Sequence, residues 1–181
     1  MILASGSPQR RAILEQLGIG FRVVVPHVEE LTDGDPAEVV AENARRKARA
    51  IAATERVLGA DTAVVLDGRI FGKPADAGQA RGFLAALSGR THEVMSAVVL
   101  LEPDGRERGD VAVTRVSMRS LEGPLLDWYL STGEWAERAG AYAIQGRGAA
   151  LIEGIEGDYT NVVGLPVAAL LRLGPELVLQ P

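Results

Sequence analysis

Leu58-Gly59-Ala60-Asp61-Thr62-Ala63-Val64-Val65-Leu66, followed by Asp67-Gly68 and then Arg69-Ile70-Phe71-Gly72-Lys73-Pro74, is the stretch from which the rest of the chain can be read. An apolar, β-branched run that starts at a glycine predicts a buried strand, and Asp-Gly between two such runs predicts a tight hairpin. Asp61 therefore falls inside a strand. A carboxylate among aliphatic neighbours costs several kcal/mol to desolvate unless it is paired, ligates a metal or lines a cleft. Asp61 is accordingly read as the centre of an active site. The alternative is an Asp at a frayed strand start, making an Asx turn with Thr62.

Working outward toward the amino terminus, residues 1–4 predict a short strand that runs through Ser5-Gly6-Ser7 into a helix, with Ser7 as its N-cap, Pro8 in its first turn and Gly18 closing it. A Gly/Ser turn between strand and helix offers free N–H groups and the positive end of a dipole, so it is a candidate anion site. Arg10 and Arg11 in the first turn oppose that dipole. They make sense if an anion lies between them and the helix end, the alternative being solvation or pairing with Glu15. A second strand is expected at 21–25. Glu29 and Glu30 follow it as candidate magnesium ligands or as an ordinary solvated loop.

Asp35-Pro36-Ala37-Glu38 is a capping box, opening a helix expected to run to about Ala53. At 100° per residue Val40, Ala44 and Ile51 share one stripe with Ala37 and Ala48 beside it, and Lys47 falls within it. A lysine directed inward needs an anion, or else snorkels along the core edge. Arg45, Arg46 and Arg49 lie on the opposite face with Glu42, where solvation suffices.

Beyond the hairpin, Lys73 is held between Gly72 and Pro74 and is a candidate cation beside the Asp61 strand. A helix is expected over 77–87, strands over 93–101 and 111–118, and a helix over 122–131 with Trp135 against it. Residues 140–152 predict a further strand region interrupted by glycines, in which Gln145 offers an amide suited to reading a nucleobase edge. A last helix is expected over 166–173. His27 and His92 lack metal-ligand spacing and are taken as structural.

With 181 residues, 47% of them hydrophobic, the chain has enough material for one sizeable core and no low-complexity break, so a single domain over 1–181 is expected. Aromatic residues make up only 4%, which suits an α/β protein with an aliphatic core. The absence of cysteine excludes disulfides and thiolate chemistry and fits a cytoplasmic setting. A net charge of −5 disfavours nucleic acid as a partner, and no apolar run approaches a membrane span.

Ala4-Ser5-Gly6-Ser7-Pro8-Gln9-Arg10-Arg11, Gly59-Ala60-Asp61-Thr62, Gly72-Lys73-Pro74, Tyr142-Ala143-Ile144-Gln145-Gly146, and Gly157-Asp158-Tyr159 with Val163-Gly164-Leu165-Pro166 together resemble the Maf family of nucleoside triphosphate pyrophosphatases. The blocks keep the family's order from residue 4 to residue 166. The resemblance implies an elongated mixed β-sheet flanked by helices, with two lobes and a central cleft, similar to inosine triphosphate pyrophosphatases. It implies hydrolysis of the α–β anhydride of a nucleoside triphosphate to a monophosphate and pyrophosphate, assisted by Mg²⁺ or Mn²⁺.

By position, the resemblance makes Asp61 the acid that takes the water's proton or holds the metal, with Glu30 as a second carboxylate. It makes Ser5, Arg10, Lys47 and Lys73 triphosphate ligands. Arg10, Thr62 and Gln145 match the dTTP/UTP-directed branch, and Gln9 departs from it where arginine is common. A homodimer is a further expectation. The competing reading is a nucleotide-binding regulator of cell division with little catalysis, against which a buried acid argues, since binding alone needs cations only.

Overall fold

Asp67 and Gly68 both take positive φ, 51° and 75°, which makes the expected two-residue hairpin a type I′ turn. In this computed structural model, which describes residues 1–52 and 54–179, that turn joins β3 (Val57–Leu66) to β4 (Arg69–Phe71) with Leu66 opposite Arg69. Before them come β1 (Ile2–Ala4), α1 (Pro8–Gln16), β2 (Arg22–Val23) and α2 (Pro36–Arg49). After them come α3 (Ala77–Leu87), β5 (Thr91–Leu101), β6 (Glu107–Met118), α4 (Gly123–Ser131), β7 (Ile152–Glu156), α5 (Tyr159–Val163) and α6 (Val167–Leu173). The caps fall where the sequence puts them, for Ser7 accepts from Arg10 N–H, Asp35 from Ala37 and Glu38, and Asp76 from Gln79.

Among the described residues seven strands form one mixed sheet in the order β2-β1-β3-β5-β6-β7, with β4 also on β3. β1 runs parallel to β2 and β3, and the remaining pairs are antiparallel. Because β5 pairs with β3 from Val57 to Val65, β1 and β4 must share its other edge. β1 covers that edge from Val57 to Gly59, and β4 covers it from Val64 to Leu66. Residues 60–63 are left without a strand neighbour there. This window is the one interruption in the pairing of an otherwise buried strand, and it contains Asp61 and Thr62.

The period-two alternation of β3 sends successive side chains to opposite faces. Val57, Ala63 and Val65 pack with Val40, Ala44 and Ala48 of α2. On the other face the core divides, Leu58 and Ala60 joining Ile13 and Leu14 of α1 and Leu170 of α6, while Val64 and Leu66 join Leu84 of α3 and Tyr129 of α4. Thr62 lies between the two clusters, and Asp61 faces α2.

Three expectations change. Residues 140–152 are not a strand region but two 3-10 turns, Ala139–Ala141 and Gly146–Leu151, and the strand begins only at Ile152. Positive φ at Gly140, Ala141 and Gly146 breaks the extended path, and the Glu134 carboxylate accepts N–H bonds from Arg147 and Gly148. The second strand spans only Arg22–Val23, its last bond to β1 being Val24 N–H to the Leu3 carbonyl, and Pro26 has no N–H to carry the ladder on. α2 ends at Arg49, and the expected endpoint, Ala53, lies outside the described residues.

His92 is structural, as expected. It is 1% exposed, its Nε2 lies 2.7 Å from the Tyr142 hydroxyl, and its Nδ1 has no partner among the described residues. Burial pulls the imidazole down to about 4. The unfolded chain then binds this proton more readily than the folded one, so stability is intact above the unfolded value near 6.5 and is lost as the pH falls toward 4. Acidification from about pH 7 to about pH 5 should cost on the order of 2 kcal/mol through this residue. Urea denaturation of wild type and His92→Gln checks it, since the variant should show a flatter pH dependence over that window; equal slopes would remove His92 as the cause.

Candidate active site

At the window, α2 comes unusually close to β3. A Cβ added to Gly59 would sit 2.9 Å from both Cβ and N of Ala48 and closer still to the carbonyl oxygen of Ala44. Small residues on both elements therefore set the separation, and side chains flanking that contact on α2 can reach β3. Asn43 and Lys47, one turn apart, do so. Lys47 Nζ lies 2.6 Å from Asp61 Oδ1 and 2.9 Å from Glu30 Oε1, and Asn43 Nδ2 donates to Asp61 Oδ2 at 3.1 Å. Asp61 and Lys47 are 8% and 7% exposed, whereas the Glu30 side chain is half open to solvent. The anion that Lys47 required is thus internal, and it is Asp61 itself. The arginines on the far face pair outward, Arg46 with Glu42 and Arg49 with Glu107.

On the opposite face Thr62 meets Arg10. The guanidinium donates from Nε to the Gly164 carbonyl at 2.9 Å and from Nη1 to Ser5 Oγ at 3.0 Å and the Ala60 carbonyl at 2.8 Å. From Nη2 it reaches Thr62 Oγ1 at 3.1 Å. Four of its five N–H donors are so engaged. Arg10 takes the place of the missing strand neighbour at Ala60. Burial lowers its pKa and the nearby Asp61 and Glu30 raise it, and the guanidinium keeps its charge. Arg10 and Arg11 do not share an anion, contrary to expectation, because Arg11 turns outward to Glu15 at 2.7 Å. Consecutive helical residues point about 100° apart, which separates them.

Thr62 Oγ1 lies 2.8 Å from Ser96 Oγ, and Ser96 in turn donates to the Asn161 carbonyl. Asn161 is fully buried, with Nδ2 on the Val94 carbonyl and on Thr114 Oγ1. The chain of contacts from Arg10 through Thr62 to α5 fixes Gly164, whose carbonyl holds Arg10.

Lys73 follows the end of β4, and Gln145 follows the segment around Gly140 that meets β4 and β3. Gly140 N–H donates to Gly72 C=O at 3.1 Å, and a Cβ on Gly140 would press within 2.9 Å of Val64, so the turn Ala139–Ala141 is seated against β3. Lys73 is exposed and pairs with Glu137 at 2.8 Å. Gln145 is exposed and makes no side-chain hydrogen bond among the described residues. The structure thus brings Asp61, Glu30 and Lys47 together on one face and Ser5, Arg10 and Thr62 together on the other; Lys73 and Gln145 bond to neither cluster. Asn43, Ser96 and Asn161 are site residues that the sequence reading missed. Only Asn43 carried a signal, lying one helical turn before Lys47 on the inward stripe.

No group of three or more Asp, Glu or His side chains gathers as a metal cage among the described residues. Asp61 and Glu30 nevertheless converge on one cation, the Lys47 ammonium, and Glu30 is open to solvent. Two hard oxygen donors, one of them open to solvent, are of the kind that Mg²⁺ or Mn²⁺ takes. The donor set fits such an ion.

The Maf-like protein family matches residues 1–176. A dTTP/UTP pyrophosphatase of Symbiobacterium thermophilum is 49% identical over 178 residues, covering 96% of this chain and 91% of its own. A protein of the same name from Pyrococcus furiosus is 42% identical over 180 residues, covering 96% and 93%. Among solved structures, a HAM1 protein from Coxiella burnetii shares the fold at a TM-score of 0.51 and 19% identity, over 99% of this chain and 98% of that one. With the family match running through residues 1–176 and relatives 42–49% identical over 96% of it, this chain belongs to the Maf-like protein family.

Proposed function

We propose that this protein is a nucleoside triphosphate pyrophosphatase acting on dTTP and UTP, cleaving the α–β anhydride to release pyrophosphate. The observation that carries the reading is the Asp61–Lys47–Glu30 cluster at the stretch of β3 that has a strand neighbour on one edge only, in a chain 42–49% identical to relatives named for this activity. Nothing in those names points to a regulator. The cytoplasm, where such substrates are dissolved, is the setting we propose for it.

In this mechanism Asp61 takes a proton from the attacking water as its oxygen bonds to the α-phosphorus. The bond from that phosphorus to the bridging oxygen breaks, and its electron pair leaves with pyrophosphate. Positioning and charge neutralisation account for most of the rate in such reactions. Two negative and two positive groups, Asp61, Glu30, Lys47 and Arg10, cancel, so the site has no standing attraction for a triphosphate. The additional positive charge comes from Lys73, once Glu137 is displaced, and from a bound cation. Asp61 and Glu30 would hold Mg²⁺ or Mn²⁺, which supplies charge neutralisation along the phosphates. Ser5 and the α1 N-terminus hold phosphate oxygens, and Arg10, Thr62 and Gln145 select the base.

The test is a panel of dTTP, UTP, CTP, GTP, ATP and 7-methyl-GTP with Mg²⁺ or Mn²⁺, scoring pyrophosphate and orthophosphate separately. Pyrophosphate mainly from dTTP and UTP is expected. Orthophosphate as the product would overturn the regiochemistry, and no product from any nucleotide would overturn the activity.

A further inference from the structure

The loop between β2 and α2 carries Glu30 but contains no helix or strand of its own. Something must hold that carboxylate within reach of Asp61, and α2 does so at consecutive points. Arg46 donates to the Glu29 carbonyl at 3.1 Å, Lys47 binds the Glu30 carboxylate, and Asn43 grips Leu31. The Asn43 grip is two-pronged. Leu31 N–H donates to Asn43 Oδ1 at 2.8 Å, and Asn43 Nδ2 donates to the Leu31 carbonyl at 2.9 Å, as a neighbouring strand would.

The second Nδ2 hydrogen goes to Asp61 Oδ2 at 3.1 Å. Every donor of this amide is used, and the side chain is 2% exposed. Its orientation is fixed by its partners, since a flipped amide would set donor against Leu31 N–H and acceptor against both Leu31 C=O and the Asp61 carboxylate. One buried amide therefore joins the backbone next to Glu30 to the far oxygen of Asp61, leaving Oδ1 to Lys47.

We propose that Asn43 is a positioning residue for the reaction: it fixes the Asp61 carboxylate in rotation and holds Glu30 at its working distance, without touching substrate. This rests on the pyrophosphatase reading. Outer partners of reactive carboxylates typically matter 10–100-fold when removed, and Asn43→Ala should lower kcat for dTTP by about that factor with KM within about threefold. A merely structural loss would reduce the active fraction and leave the turnover of the remaining folded protein unchanged.

Asn43→Asp, which is nearly the same size, keeps the acceptor for Leu31 N–H but loses both donors, and should lose at least as much kcat. Combining Asn43→Ala with Glu30→Ala should cost less than the product of the two single losses, because part of what Asn43 does goes through Glu30. Hydrogen exchange at the Leu31 amide, read by NMR, should quicken in Asn43→Ala. Wild-type kcat in Asn43→Asp, multiplying losses in the double variant, or an unchanged Leu31 amide would each overturn the proposal. If the wild type releases no pyrophosphate from any nucleotide, the pyrophosphatase reading fails and takes the catalytic part of this inference with it, and the exchange result alone then decides whether the clamp exists.

Discussion

Asp61→Asn should reduce pyrophosphate release from dTTP by about 10²–10⁴-fold, the range over which a positioned general base contributes, while nucleotide binding is largely kept. The substitution preserves shape and removes the charge and the basic oxygen. In the native arrangement both Asp61 oxygens accept, one from Lys47 and one from Asn43. An asparagine presents one acceptor and one amino group, so one of those donors must face another donor. The stability cost is that of one buried unsatisfied pair, about 1–3 kcal/mol. It stays below the cost of stranding a buried lysine, because Glu30 still holds Lys47. Turnover and thermal midpoint measured together separate the two effects. A folded variant with turnover near wild type would remove Asp61 from the chemistry, whatever its burial.

How much of this site could be read from the sequence depended on how local its determinants were. The Asp67-Gly68 turn, the caps at Ser7, Asp35 and Asp76, and the inward position of Lys47 follow from residues a few places apart, and the structure has them as expected. The aspartate in the strand was legible because its burial contradicts its chemistry. Its partner was not, because pairing Lys47 with Asp61 requires knowing that α2 lies on that face of β3. The partners of Arg10 were hidden for the same reason, since tertiary structure alone brings the Ala60 and Gly164 carbonyls and Thr62 to it. Ser96 faces Thr62 through the register of β5 on β3, two strands joined through β4 and α3, so no short turn fixes it. The 140–152 segment failed differently. Its glycines were read as interruptions of a strand, but left-handed backbone at Gly140, Ala141 and Gly146 turns the path, and the N–H groups of Arg147 and Gly148 close on the Glu134 carboxylate.

The Lys47–Asp61 contact depends on the absence of one side chain, and Gly59→Ala should reveal this as a large loss of stability. The added Cβ would meet the Ala48 backbone nitrogen and Cβ at 2.9 Å and the Ala44 carbonyl oxygen more closely. None of these atoms sits on a rotatable side chain, so α2 must move as a body away from the sheet. Overpacking of this kind costs about 3 kcal/mol at the upper end of the usual range, or roughly 6–12 °C in thermal midpoint for a chain of this size. Gly20→Ala is the matched control, since its Cβ would meet nothing within 4 Å and its φ is not positive; it should leave the midpoint near that of wild type. If Gly59→Ala also falls within about 2 °C of wild type, close approach does not set the helix position. Adding Ala48→Gly to Gly59→Ala relieves the contact with the Ala48 Cβ but leaves the Ala44 carbonyl and the Ala48 nitrogen in place. Rescue should therefore be partial, and the folded fraction should still turn over slowly, because a helix displaced from Gly59 also draws Lys47 and Asn43 away from Asp61.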